Sequence, residues 1–171
     1  MRDYRDSDYL AGITDGEGCL LVDVRRAKRK GAGYVAIHII YKVTLRDDDA
    51  RILELLRNTF GGSLSGHTDK RPNHQSTMVW SVTAKRDILS LIKYFDAHPL
   101  VVKLEQYNVW REAAMLYYRH TVPGGRSAGN PDWLIEAMRA YKKKLEGLKK
   151  YIKLHQDIEV DFEDAQETFD Y

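Results

Sequence analysis

Hydrophobic and polar positions along this chain repeat in two different periods, and the switches between them divide it into elements. Ser7 offers an N-cap to a short helix over about residues 8–16. Leu20, Val22 and Val24 then alternate with Leu21, Asp23 and Arg25 in strand period. Residues 25–33, basic and ending in glycines, read as a connection, and residues 34–44 resume alternation with Val35, Ile37, Ile39, Tyr41 and Val43 on one face. The two runs predict a long hairpin. Asp47, Asp48 and Asp49 favour a helix N-terminus, Ile52, Leu55, Leu56 and Phe60 supply its apolar stripe, and Gly61-Gly62 ends it. A second hairpin follows over 63–67 and 77–83, joined by a polar loop at 69–74, with Met78, Trp80 and Val82 as its buried set. Ile88, Leu91, Ile92 and Phe95 mark a third helix, stopped before Pro99. Two further helices are expected over about 102–119 and 132–154, separated by the breaker-rich stretch 122–131. In the last helix Leu134, Met138, Tyr141, Leu145, Leu148 and Ile152 stand four and three apart, a stripe read as ordinary packing rather than a dimer zipper. The order α-β-β-α-β-β-α with two more helices behind it predicts an α+β fold.

Composition narrows this to one domain. The chain has 171 residues and 43% hydrophobic content, enough for one full core and too little for two ordinary domains. The expectation is a single domain over 1–156 and an acidic tail over 157–171. No window approaches a membrane-spanning apolar run, the start reads unlike a signal peptide, and Cys19 is the only cysteine. These features together predict an intracellular protein without a disulfide or a Cys-x-x-Cys zinc pair. His67 and His74 lack the spacing of a metal pair. The net charge of +2 hides an asymmetry: the tail carries seven acids and no Lys or Arg, so residues 1–156 hold 27 bases against 18 acids. That balance suits a polyanionic partner for the body, and on charge alone an ordinary basic surface with a solvated tail stays open.

The candidate chemistry lies at the end of the first helix, in Leu10-Ala11-Gly12-Ile13-Thr14-Asp15-Gly16-Glu17-Gly18. Gly12 and Gly16 are four apart and share a helix face, leaving a groove where a second backbone can approach, while Leu10 and Ile13 can point into the core. The last helical carbonyls lack intrahelical partners and carry partial negative charge, and Glu17 adds a full carboxylate beside them. Such a set of oxygens suits a hard cation.

These nine residues closely resemble the signature of the LAGLIDADG homing endonucleases, and the α-β-β-α-β-β-α order matches the core that the resemblance implies over at least residues 8 to about 120. No second copy of the motif follows, which in that family implies a homodimer, with Ala11, Gly12, Asp15 and Gly16 at the twofold interface. The resemblance further implies divalent metal bound by Glu17 and the Gly16 carbonyl, with Mg2+ the expected ion and Mn2+ or Ca2+ able to substitute for binding. It implies phosphodiester hydrolysis by water, with Lys103 as the active-site lysine. Where relatives often place a polar, water-ordering residue after the second strand this chain has Leu45, and Arg46 is a possible substitute.

For double-stranded DNA, a twisted antiparallel sheet lying in the major groove would present the residues opposite the buried set. Those are Cys19, Leu21, Asp23, Arg25 and Ala27, then Tyr34, Ala36, His38, Ile40 and Lys42, then Ser63, Ser65 and His67, and finally Thr77, Val79 and Ser81. Arg26, Lys28, Arg29, Lys30, Lys70, Arg71, Lys85 and Arg86 are the expected phosphate grips. The alternative is a non-cleaving binder, either a maturase acting on host intron RNA or a DNA-binding regulator, and the carboxylate of Glu17 favours the nuclease. Cytoplasm or nucleoid of a prokaryote, or an organelle, is the expected location.

Overall fold

A computed structural model describes residues 7–29, 32–67, 76–121 and 129–156. Helix α1 (Tyr9–Glu17) runs straight into strand β1 (Gly18–Arg29), which turns back as β2 (Ala32–Arg46). A single 3-10 turn (Asp47–Asp49) leads into α2 (Ala50–Phe60), then come β3 (Ser63–His67), β4 (Thr77–Val82), α3 (Lys85–Ala97), α4 (Leu104–His120) and α5 (Asp132–Gln156). The four strands form one sheet in the order β1-β2-β4-β3, with every neighbouring pair antiparallel. This is the α+β architecture expected from the sequence.

The largest departure concerns residues 25–33, expected as a connection. The ladder instead continues to the pair Arg29↔Ala32, so the basic residues belong to a two-stranded ribbon. Long cationic side chains are tolerated there because the backbone hydrogen bonds are met within the ribbon while Arg25, Arg26 and Lys28 stay exposed. Two helix starts also differ. At α1 the N-cap is Asp8, not Ser7, and it makes no side-chain cap. The Ala11 N–H instead donates to the Tyr94 hydroxyl at 3.3 Å, which itself donates to the Ser7 carbonyl, so a side chain from α3 satisfies the helix end. At α4 the helix starts at Leu104 rather than near 102, for a reason that belongs to the site described below.

Strand alternation puts one face of the sheet inside. Leu20, Val22, Ile37, Ile39, Tyr41, Val43, Trp80 and Val82 are all buried, with Val24, Val35 and Met78 packed against them. Each large side chain so buried contributes on the order of 1.5–3 kcal/mol. Tyr41 and Trp80 meet edge to face, centroids 5.5 Å apart, and Trp80 Nε1 donates to the Gly61 carbonyl at 2.8 Å. That contact explains the glycine pair: both have φ of 83°, and a Cβ on Gly62 would stand 2.9 Å from Trp80 Nε1 and 2.6 Å from the Ser81 carbonyl. The stripe of α5 packs inward as expected, with Leu134, Met138 and Leu145 buried and Tyr141 and Leu148 against the core. Helix α5 runs antiparallel to β1 along the edge of the sheet, bringing Lys142 to 4.0 Å from Asp23 and Lys149 to 3.4 Å from the Cys19 sulfur. No helix among the described residues is long and apolar enough to cross a membrane.

Candidate active site at the end of helix α1

The junction of α1 and β1 is made by close packing. Thr14 is buried, donates to the Leu10 carbonyl at 2.6 Å and shares a 2.7 Å hydrogen bond with the Tyr41 hydroxyl. Gly18 follows with extended backbone, and a Cβ there would lie 2.6 Å from Thr14 Cγ2, so the chain can leave the helix at this angle only on a glycine. The turn leaves Glu17 exposed and aims the last carbonyls of the helix to one side.

Those carbonyls converge on Lys103. Its ammonium donates to the oxygens of Thr14 (2.9 Å), Gly16 (3.0 Å) and Gly18 (3.0 Å). Burial pushes the Lys103 pKa below its usual value, while the nearby Asp15, Cys19 and Glu17 pull the other way. The Asp15 carboxylate accepts the backbone N–H groups of Val101 (2.8 Å) and Lys103 (2.9 Å). This clamp holds 101–103 as a turn, delays the start of α4, and delivers Lys103 to the helix end. Asp15 was expected at a subunit interface; its carboxylate is engaged within its own chain, because two unpaired N–H groups stand opposite it. Ala11 departs likewise, being 5% exposed and packed in the core of its own subunit. Gly12 and Gly16 fit the expectation of an open groove: both are exposed, and a Cβ on either would meet nothing within 4 Å.

The donor set fits a hard divalent cation. Three carbonyl oxygens already surround one positive charge, and the Glu17 carboxylate adds to the same field. Among the described residues no three His, Cys, Asp or Glu side chains converge, so a metal held here would depend on backbone oxygens as much as on carboxylate.

The sheet face opposite the core forms a continuous surface. Strand register aligns Cys19, Lys42, Ser81 and Ser63 in one row across all four strands, and Thr44, Val79 and Ser65 in the next. Asp23 stands opposite His38, Leu21 opposite Ile40, Arg25 opposite Ala36, and Ala27 opposite Tyr34. Arg25, Arg26, Lys28, Tyr34, Ser63 and Ser65 are exposed; Asp23, His38, Ile40, Lys42, Thr77, Val79 and Ser81 are half-buried. Thr44, which the sequence reading passed over, is exposed and in register with this surface; the same alternation that placed Lys42 would have found it. Arg46 lies beyond it, opposite Thr77, paired with Asp48 at 2.5 Å.

Other expected contacts are engaged within the chain. Asp23 is 3.4 Å from Arg25, and Leu21, Asp23 and Ile40 border a groove of about 310 Å³ against α5. Lys85, expected to grip phosphate, instead donates to the Tyr118 carbonyl at 3.1 Å and sits over the Tyr118 ring, because α4 passes beside the start of α3. Arg86 pairs with Asp87 at 3.1 Å but is 92% exposed. Lys30, Lys70, Arg71, His74 and the acidic tail 157–171 lie outside the described residues, as do the side chains of Arg29, His67 and Ile152.

A profile of the LAGLIDADG endonuclease family matches residues 10–114. A 50.9 kDa protein of ND4 intron 1 from Podospora anserina is 27% identical over 115 residues, 65% of this chain and 24% of its own length. The probable intron-encoded endonuclease aI3 of Debaryomyces hansenii is 23% identical over 129 residues, 74% of this chain and 17% of its own length. The chain thus spans a quarter or less of either relative. Among solved structures, the homing endonuclease I-TnaI superposes with a TM-score of 0.62 at 20% identity, covering 86% of this chain and 95% of that one. I-GzeII, solved with its DNA target, gives 0.59 at 19% identity, over 79% of this chain and 43% of that one. With its motif on a helix that opens into a four-stranded sheet, and with the profile covering most of that core, the chain belongs to the LAGLIDADG endonuclease family.

Proposed function

We propose that the protein is a site-specific homing endonuclease that makes a double-strand break in DNA by metal-dependent phosphodiester hydrolysis, acting as a homodimer on a long, nearly palindromic site. The observation that carries this reading is the meeting of Lys103, Glu17 and the α1 carbonyls at the end of a helix whose Gly12 and Gly16 face is open. Support for DNA as the partner comes from relatives solved with it, I-GzeII and the archaeal intron-encoded I-Vdi141I.

In this reading residues 1–156 act as one unit. Two copies crossing at Gly12 and Gly16 bring two exposed Glu17 carboxylates toward the axis, where their repulsion favours divalent cations. Glu17 and the Gly16 carbonyl would hold Mg2+, with Mn2+ or Ca2+ as substitutes for binding. The bound metal supplies Lewis-acid activation of water and of the leaving oxygen. Lys103, fixed by the Asp15 clamp, presents positive charge where the phosphate gains negative charge. Arg46 stands at the end of β2 as a candidate for ordering water. The sheet face from Arg25 and Lys42 to Ser63 and Ser65 reads base edges in the major groove. Arg26, Lys28 and Arg86 contact phosphates and fix register, whereas Lys85 is withdrawn from that role by Tyr118.

The test is selection from a randomised duplex library in Mg2+, with a chelated control. The reading expects recovery of an inverted-repeat site whose cleavage stops with chelation. A protein that retains duplexes but cuts none in any divalent ion would be a binder instead.

A further inference from the structure

Lys149 reaches the same junction from a different part of the chain. It lies on α5, and its ammonium stands 3.4 Å from the sulfur of Cys19. Cys19 directly follows Gly18, whose carbonyl takes the Lys103 ammonium at 3.0 Å. The two cations are therefore anchored on consecutive residues, Lys103 on the backbone of Gly18 and Lys149 on the side chain of Cys19. Burial is the first cause of the lowered Lys103 pKa, and the positive charge of Lys149 adds to it. Lys42, opposite Cys19 across the strand pair, adds a third cation to the row.

Asp15 and Glu17 act on Lys103 from nearby, but neither is ion-paired with it. Neither Lys103 nor Lys149 forms an ion pair among the described residues, and Asp15 is turned toward the 101–103 backbone. Glu17 is the acid that remains at the junction. Like charges held together cost free energy, and a fold accommodates them where an anion completes the set. A phosphodiester has one negative charge and two non-bridging oxygens, one of which can accept from Lys149; the three protons of Lys103 are taken by the Thr14, Gly16 and Gly18 carbonyls, so Lys103 contributes its charge alone.

We propose that Lys149 binds one phosphate group of the DNA strand at the α1–β1 junction, beside the charge of Lys103, so that the C-terminal helix supplies a contact to the site. The inference rests on the endonuclease reading. It makes Lys149 a phosphate-binding residue at the site of cleavage rather than a surface charge of α5.

The experiment uses the full chain and a 30-bp duplex bearing the site recovered by selection, comparing wild type with Lys149→Ala, Lys149→Arg and Lys144→Ala. Lys144 is exposed on the same helix and belongs to no part of the site. Two quantities are read: the single-turnover cleavage rate in Mg2+, and the salt dependence of binding in Ca2+. Lys149→Ala should cut at least about tenfold more slowly and should flatten the slope of log affinity against log salt by about 0.9 per lost phosphate contact. Lys149→Arg should recover the slope and Lys144→Ala should match wild type. A Lys149→Ala variant that keeps either the rate or the slope overturns the proposal, as does an equal effect from Lys144→Ala. A wild type that cuts no duplex overturns the endonuclease reading itself, a result separable from the others.

Discussion

The ammonium of Lys103 lies 3.0 Å from the carbonyl oxygen of Gly16, across 87 residues of sequence. A lysine thus occupies the oxygen set to which the motif would bring a divalent ion, and its placement depends on Asp15. Lys103→Met should lower the single-turnover cleavage rate by about 10²–10³, as loss of one charge-stabilising donor does elsewhere. Asp15→Ala should slow cleavage through misplacement of the same lysine, and should also cost about 1–3 kcal/mol of stability, because two backbone N–H groups lose their acceptor. A melting curve and a rate constant separate the two. If Asp15→Ala cleaves at the wild-type rate, the clamp has no part in catalysis.

Glu17→Gln should abolish cleavage in Mg2+ and leave the melting temperature and duplex binding near wild type. The side chain is exposed and supports no packing, so only metal-ligand charge is lost. Electrophoretic shift and cleavage on one duplex give both numbers, and full cutting by the variant would remove Glu17 from the metal site.

The glycines of the motif should respond differently to bulk. Gly12→Leu meets empty space within the subunit, so it should fold normally yet sediment as a monomer and lose cleavage. Gly18→Ala places its methyl 2.6 Å from Thr14 Cγ2 and should destabilise the subunit itself by about 1–3 kcal/mol. A Gly12→Leu protein that remains dimeric would place the interface elsewhere.

Acid should loosen the contact between α3 and α4. Asp96 accepts from Arg111 at 2.9 and 3.2 Å and from the Tyr107 hydroxyl at 2.7 Å. Burial alone would raise its pKa, but these partners outweigh it and hold the carboxyl below the usual 3.8. Folded-state pKa is therefore below unfolded-state pKa, and the contribution is complete above 3.8 and lost as pH falls through the lower value. Wild type should lose stability relative to Asp96→Asn over that acid window, measurable as converging melting temperatures. Parallel curves would show the pair to be energetically silent.

Alternation made the sheet legible: the positions from Leu20 to Val43 that repeat every second residue are buried or packed against the core, and their complement forms the opposite face. The motif marked Gly16 and Glu17, and the family resemblance, not the motif, pointed to Lys103, whose ammonium meets the Gly16 carbonyl. The extension of β1 to Arg29 and of β2 back to Ala32 was hidden because Lys, Arg and Gly are poor strand formers, and pairing across the ribbon overrides that local preference. The role of Asp15 was hidden for another reason. Its partners are backbone groups 86 and 88 residues away, and a backbone N–H leaves no mark in sequence. Lys149 is one of several lysines on α5, and nothing in the helix pattern distinguishes it until α5 is laid against Cys19.

The position of α5 also bears on how the protein survives in a crowded cell. An outermost strand presents a row of unpaired amides and carbonyls, and a twelve-residue strand such as β1 is long enough to template addition of a foreign strand and growth of an aggregate. With α5 lying against Cys19 to Asp23, that stretch of the row is shielded from other chains. The opposite margin is β3, whose five residues include Gly66 and two serines and offer a short, weakly adhesive stretch. Removing α5 would therefore do more than thin the site; it would expose an adhesive strand, and a chain truncated before residue 132 should precipitate even where its remaining core can form.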